Sequence, residues 1–406
     1  MKRDLSINQT EQSVSQRREL LKGAVAFTLL STLSSTVQIA LAAKQPTILK
    51  NTPLFAYVGS RTTRERKAHG DGISVYKVDT ATGDLTLVQL VRDLINPSFL
   101  ALSKSGEYLY TVHGDESDIS AFKVDKLTGK LTFLNQQSTQ GKNPVHLAID
   151  PSGKYIVVSN HIGGSLAVLP LTSDGKLQPV TQLVPLEGET GPHRIEQTQP
   201  KPHFNPFDLT GKYVVVPDKG TDRINTFRFE KGSLQPTTES FVMSREGSGP
   251  RHLAFHPGGK FVYVVNEIDS TVTTYLFNPT NGTMEPLQIL STLSDLYTGN
   301  NRAAEIVIDA KGSMLYASNR GDDSIAAFKI DPTNGHLRFI STTKTLGKMP
   351  RFITLSPDEN YIYALNEASD DIVSFRIDKK SSQITPTNFK IKSGSPVCMI
   401  FSNEIT

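Results

Sequence analysis

Two residue types are all but missing from this chain. It has one cysteine, Cys398, and no tryptophan in 406 residues. A single thiol cannot close an intrachain disulfide, so nothing covalent staples the fold, and a buried apolar role is expected for it. Without tryptophan the chain cannot carry the Trp-Asp signature of WD repeats. Net charge is scarce as well: 43 Lys and Arg stand against 40 Asp and Glu, and 38 against 37 once the first 43 residues are set aside. That balance gives no basic face for nucleic acid and none for an anionic membrane. Past the N-terminal region no apolar run is long enough to cross a bilayer. Equally absent are a Gly-rich phosphate loop, a G-x-S-x-G elbow, a Cys/His metal spacing and an Asp-rich calcium loop, so neither a metal nor a cofactor is expected.

What is present begins with an export pattern. Arg17-Arg18 followed by Leu20-Leu21-Lys22 opens a moderately apolar run from Gly23 to Leu41 that ends in Ala40-Leu41-Ala42-Ala43. This is the order of a basic segment, an apolar segment and a small-residue cleavage site, and the paired arginines have the form read by the twin-arginine exporter. The Ser, Thr and Gln within the run make it a poor membrane anchor. Residues 1–43 are therefore expected to be a signal peptide and residues 44–406 the mature domain, periplasmic and not bound to a membrane after cleavage. The oligomeric state is left open.

Internal similarity then sets the fold. A strand, a turn and a second strand recur in six copies starting at Pro97, Pro144, Pro202, Pro250, Ala303 and Pro350, with turn positions Gly106, Gly153, Gly211, Gly259, Gly312 and Glu359 spaced 47, 58, 48, 53 and 47 residues apart. A third alternating strand follows each copy, and a Gly-bearing turn such as Thr82-Gly83 or Asn334-Gly335 leads to a fourth. Period-2 alternation in four short strands per fifty residues predicts an all-β, seven-bladed β-propeller with four antiparallel strands per blade. The first blade, starting at Pro53, lacks an inner strand, and the apolar tail Val397–Phe401 has no partner of its own. The tail is expected to supply the missing strand and close the ring, which removes the open sheet edges.

In such a blade the start of the first strand and the end of the second meet at one rim. The first position holds His146, His203, Arg251, His252, Glu305 and Arg351; the second holds Asn160, His161, Asp218, Lys219, Asn266, Glu267, Asn319, Arg320, Asn366 and Glu367. Polar groups recurring at both places predict a funnel that binds something polar. A buried arginine needs an anionic partner, so Arg251 is expected to meet either Glu267 or a bound substrate. The connection between blades 3 and 4 is longer than the others and carries His193, Arg194, Glu196, Gln197 and Lys201, so it is expected to fold over the funnel mouth.

Several stretches carry a more specific resemblance: Asn-Pro-Ser-Phe-Leu-Ala-Leu from Asn96, the run from Gly249 to Val272 containing Arg251 and Glu267, Tyr-Ala-Ser-Asn-Arg from Tyr316, and Ser-Pro-Val-Cys-Met-Ile-Phe from Ser395. With them the chain resembles the propeller lactonase family, which includes 6-phosphogluconolactonases and carboxy-cis,cis-muconate cyclases, over residues 53–401. The resemblance implies a metal-independent site of one His, one Glu and two Arg, falling here on His203, Glu267, Arg251 and Arg320. It implies a lactone hydrolase acting on a small-molecule lactone or carboxylate; the rim positions and the long loop add His146, Arg194, Asp218, His252, Asn266, Glu305 and Asn319 as substrate-binding candidates. One departure is that Lys201 stands where family members often have the first His of a His-x-His pair. A non-catalytic ligand- or protein-binding propeller and a muconate-type cycloisomerase are the alternatives.

Overall fold

In the computed structural model the described residues are 53–402; the expected signal peptide lies outside them. They form seven antiparallel sheets and, among the described residues, no α-helix. Each sheet is one blade. Blades 2 to 7 are contiguous in sequence, their innermost elements starting at Pro97, Pro144, Pro202, Pro250, Arg302 and Pro350. Blade 1 is composite: its inner strand is the C-terminal segment Pro396–Phe401, which pairs antiparallel with Phe55–Ser60, Val58 opposite Met399. The ring is closed as the unpartnered tail predicts, and Cys398 is buried in the closing strand.

Exposure follows position in the blade. In blade 5 the strand Phe261–Asn266 is buried throughout, whereas the outermost strand, Met284–Ser291, has no fully buried residue. Apolar clusters lie between adjacent blades; one joins Tyr263 and Val265 of blade 5 to Leu315, Ala317 and Phe328 of blade 6. A repeated contact fixes the angle between blades. The aromatic residue that opens a second strand packs on the turn glycine of the next blade, so a Cβ on Gly335 would sit 2.5 Å from the Phe261 ring, and one on Gly83 would sit 2.8 Å from Tyr361. Both glycines also have positive φ, so the position needs glycine twice over. Tyrosines two residues further along reach the same turns: Tyr263 Oη donates to Gly335 O at 3.0 Å and Tyr363 Oη to Gly83 O at 2.8 Å. Blade 6 opens its second strand with Met314, and the blade 7 turn correspondingly has Ser382 in place of glycine.

Two irregularities prepare the site. Inner strands are bulged at their first residues: the register slips between Pro97 and Phe99, Pro144 and His146, Pro250 and His252, and Pro350 and Phe352. A bulge turns the skipped side chain out of the ladder, and here it turns toward the propeller axis. In blade 4 the inner segment joins its neighbour only through isolated bridges, Pro202 with Asp218 and Phe207 with Val214. Pro202 and Pro206 have no N–H to give, so a regular ladder cannot form across them. Freed from the ladder, Asn205 reaches into blade 3, where its Nδ2 donates to Val157 O at 2.8 Å and its Oδ1 accepts from Ser159 Oγ at 2.7 Å.

Ring closure rests on close packing of the terminal strand, where Phe401 is fully buried and meets the Tyr363 ring of blade 7 at 5.7 Å. Phe401→Ala is expected to cost about 3–5 kcal/mol of stability, measured as a lower denaturant midpoint.

Candidate active site

The skipped residues of the bulges line one narrow pocket on the axis: Ser98, Val145, Arg251 and Arg351, with Val397 from the closing strand and His203 from the irregular blade 4 segment. Blades 1 to 3 thus contribute small or apolar groups and blades 4, 5 and 7 contribute cationic groups or imidazole. His252, Glu305 of blade 6 and Arg61 complete the polar lining.

Beside the pocket lies a buried ionic hub centred on Glu267. Its Oε2 is 3.1 Å from Arg251 Nε and 3.2 Å from Arg320 Nη2, and its Oε1 is 3.2 Å from Lys219 Nζ and 3.5 Å from Arg302 Nη1. Burial alone would raise this carboxyl, but Lys219, Arg320, Arg251 and Arg351 hold it well below the usual carboxylate range. It is therefore an anion, hydrogen-bonded by Lys219 and within ion-pair distance of three guanidiniums, suited to orienting Arg251 and Arg320 and unsuited to taking a proton. Backbone carbonyls finish that orientation: Arg251 Nη1 donates to Ala304 O at 2.6 Å and Arg320 Nη2 to Ala303 O at 3.1 Å. The blade 3 to 4 connection reaches the hub, although none of its residues lines the pocket. Glu196 Oε1 is 2.6 Å from Arg302 and Oε2 is 3.0 Å from Lys219, and Gln197 Nε2 donates to Lys219 O at 3.0 Å.

A second chain of contacts leads away from the pocket wall. His203 Nδ1 is 3.2 Å from His252 Nε2, and His252 Nδ1 is 2.9 Å from Glu305 Oε1. Ile306 N–H donates to the same Oε1 at 3.2 Å, which marks that oxygen as an acceptor. His252 then carries its proton on Nδ1 and accepts at Nε2 from His203 Nδ1–H, leaving His203 Nε2 as a lone pair in the pocket. Burial, reinforced by Arg251, holds both imidazoles well below their usual range, so both are neutral. Burial pushes Glu305 up to about 8 against the pull of Arg251. A proton accepted at His203 would come to rest on the carboxylate at the end of the relay.

The four residues singled out as catalytic candidates, His203, Arg251, Glu267 and Arg320, converge, and His252 and Glu305 join them. The remaining substrate-binding candidates lie elsewhere. His146 is buried behind the wall, tilted against the Phe204 ring at 3.9 Å between centroids and accepting from Asn205 N–H at 3.1 Å. Arg194 is exposed to solvent and outside the pocket lining; its loop neighbour Glu196 reaches the hub instead. Asp218 Oδ1 caps backbone, accepting from Lys201 N at 2.6 Å and Gly220 N at 2.9 Å. Asn266 is spent on Thr271 and Thr273, and Asn319 on Thr292 and Ser324, within the blade edges. Lys201 also works in the scaffold: its Nζ donates to Glu196 O at 2.8 Å, tying down the blade 3 to 4 connection. The relay begins at the second His position of the pair, so the substitution at Lys201 leaves it intact. Arg61, only 3% exposed, was not evident from the recurring positions because blade 1 reads Ser60-Arg61 where blade 6 reads Asn319-Arg320. Extending the series to that first strand would have found it.

The sequence profile described as "Lactonase, 7-bladed beta-propeller" matches residues 55–401. The chain belongs to this family. Among its relatives, the 6-phosphogluconolactonase of Bacillus subtilis is 32% identical over 357 residues, covering 87% of this chain and all of the relative. That of Formosa agariphila is 35% identical, covering 75% of this chain and 87% of the relative. Among solved structures, the periplasmic gluconolactonase of Pseudomonas aeruginosa superposes with a TM-score of 0.79 at 28% identity, over 86% of this chain and 99% of that one.

Removing the hub's anion would leave buried cations uncompensated. Glu267→Gln is expected to destabilise the fold by about 3–5 kcal/mol at neutral pH, read from chemical denaturation. Because the carboxyl is depressed in the folded state, its contribution is present above the ordinary carboxylate range and is lost as pH falls through the depressed value, so the variant should lose less stability on acidification than the parent.

Proposed function

We propose that this protein is a lactone hydrolase, opening a sugar lactone or related cyclic ester by attack of water without a metal ion. The observation that carries the reading is the His203–His252–Glu305 relay ending in a lone pair that faces the same pocket as Arg251. Family membership and relatives named 6-phosphogluconolactonase and gluconolactonase support it.

In this reading His203 Nε2 takes a proton from water as the oxygen attacks the carbonyl carbon. The proton on His203 Nδ1 moves to His252 Nε2, and the one on His252 Nδ1 moves to Glu305, so no buried imidazolium accumulates. Negative charge that develops on the carbonyl oxygen is met by Arg251, with Arg320 held beside it by Glu267. Guanidiniums already desolvated and oriented stabilise such an oxyanion without reorganising. Collapse breaks the ring C–O bond, and the departing alkoxide recovers the proton by the reverse path, giving the open hydroxy acid. The relay accepts a proton only when Glu305 is ionised.

Arg251→Ala is expected to lower kcat by about 10²–10³ on a lactone the parent opens, measured by acid release in weak buffer. The parent's rate, corrected for spontaneous hydrolysis, should rise with pH through about 8, and Glu305→Gln should abolish that rise. Turnover equal to buffer across a panel of aldonolactones would refute the reading.

We further propose that residues 1–43 direct export to the periplasm by the twin-arginine route. The paired Arg17-Arg18 and the Ala40–Ala43 stretch support this, as does the periplasmic description of the P. aeruginosa protein. Replacing both arginines with lysine should leave uncleaved precursor in the cytoplasmic fraction of a Gram-negative host.

A further inference from the structure

The wall of the pocket opposite the relay has no role in the reaction described above. Arg61 ends the first blade's strand at the same position where Lys219, Glu267 and Arg320 end theirs, and it is almost fully buried. Among the described residues nothing accepts a hydrogen bond from its Nε or Nη1. Its nearest carboxylate oxygen, Asp115 Oδ2, is 3.9 Å away and already accepts from Arg66 Nε at 2.7 Å and Asn96 Nδ2 at 3.0 Å. Beside it Ser98 Oγ is buried and also unpartnered.

A buried guanidinium without an anion is costly, and most proteins replace or pair it. Here the chain makes room for it instead. Blade 2 has Gly114 at the rim position where blades 3 to 7 carry His161, Lys219, Glu267, Arg320 and Glu367. A Cβ at Gly114 would come within 2.1 Å of Arg61 Nη1 and 2.8 Å of Ser98 Oγ, so the guanidinium fills the space that glycine leaves. Gly114 does not have the positive φ that would otherwise explain a glycine. Arg351 lines the same wall, and its Nε lies 4.0 Å from Glu367, too far for a hydrogen bond. Two cations therefore face the pocket with little compensation, and burial together with repulsion from Arg351 pushes Arg61 down to about 9, still charged at neutral pH.

We propose that Arg61, Ser98 and Arg351 form an anion-recognition subsite, seated by Gly114, that binds a carboxylate or phosphate group carried by the lactone on the side of the pocket away from the His203 relay. Arg61 is then a specificity-determining residue, and the inference rests on the lactone-hydrolase reading for its substrate. Planar, bidentate donors with a hydroxyl beside them suit either oxyanion, and both would gain from a desolvated partner.

The test compares three lactones on the full mature protein: neutral glucono-δ-lactone, the carboxylate-bearing glucarolactone and phosphorylated gluconolactone. The parent is expected to favour at least one charged lactone over the neutral one by tenfold or more in kcat/KM, and which of the two it prefers identifies the anion. Arg61→Met should reduce that preference at least tenfold, chiefly through KM, and Arg61→Lys should restore part of it. Gly114→Ala, which keeps the charge but displaces the guanidinium, should reduce the preference in the same direction. Arg61→Met should also melt no lower than the parent, since it removes an uncompensated buried charge; a purely structural arginine would give a lower melting temperature. Calorimetric titration with D-glucarate and with inorganic phosphate provides an arm that needs no turnover: the parent binds one of them and Arg61→Met does not. If no lactone is opened but that binding difference appears, the hydrolase reading fails and the subsite stands. If lactones are opened with equal efficiency regardless of charge and Arg61→Met leaves the ratio unchanged, the subsite is overturned.

Discussion

The whole arrangement depends on the pairing of Pro396–Phe401 with Phe55–Ser60. Seven twisted sheets can surround an axis only if the last meets the first, and one antiparallel pair of strands from opposite ends of the chain makes that meeting. Closure fixes the radius at which the inner strands stand, and hence the distance at which their first residues face one another. The latches between blades act toward the same end. Each of the six aromatic residues resting on the next blade's turn glycine sets one inter-blade angle, and small errors in such angles would add up to an open ring.

Within that frame a single device recurs at the centre. A bulge at the start of an inner strand releases one side chain toward the axis, and the residue placed there differs from blade to blade. The scaffold is therefore symmetric and the pocket is not. Small and apolar groups from blades 1 to 3 face charged groups and imidazole from blades 4 to 7. The Glu267 hub stands outside this ring of released residues. It gathers Arg251, Arg320, Lys219 and Arg302, which come from three blades, and uses one carboxylate to hold them. A buried charge cluster of this kind costs desolvation energy, and the gain is a set of donors whose directions are settled before a substrate arrives.

Much of this was legible in the sequence. Turn glycines about fifty residues apart, alternating apolar positions and an unpartnered apolar tail gave the blade, the number of blades and the closing strand. The two rim positions of the repeat brought out His203, Arg251, Glu267 and Arg320 because chemistry recurs at fixed offsets. The finer placement was hidden by parity. At a strand end two consecutive polar residues point opposite ways, so Asn266 bonds Thr271 and Thr273 and Asn319 bonds Thr292 and Ser324, while Glu267 and Arg320 meet in the hub beside the pocket. On the inner strands, which member of a pair turns inward is decided by the bulge, and a bulge leaves no composition signal. The same effect puts Val145 in the pocket and His146 behind it. Asp218 and Arg194 differ for other reasons: the first is consumed by backbone donors, and the second sits on an exposed part of a loop whose inward residue is Glu196.

The closing pair also governs the order in which the molecule can be made. During synthesis the strand Phe55–Ser60 emerges long before its partner, so one of its edges stays unpaired until Pro396–Phe401 leaves the ribosome. Until then the nascent protein carries an open apolar edge, the kind of surface that chaperones recognise. The native ring consequently needs a polypeptide synthesised through Phe401, and a chain stopped short of that residue would present the edge permanently to the cell's proteases.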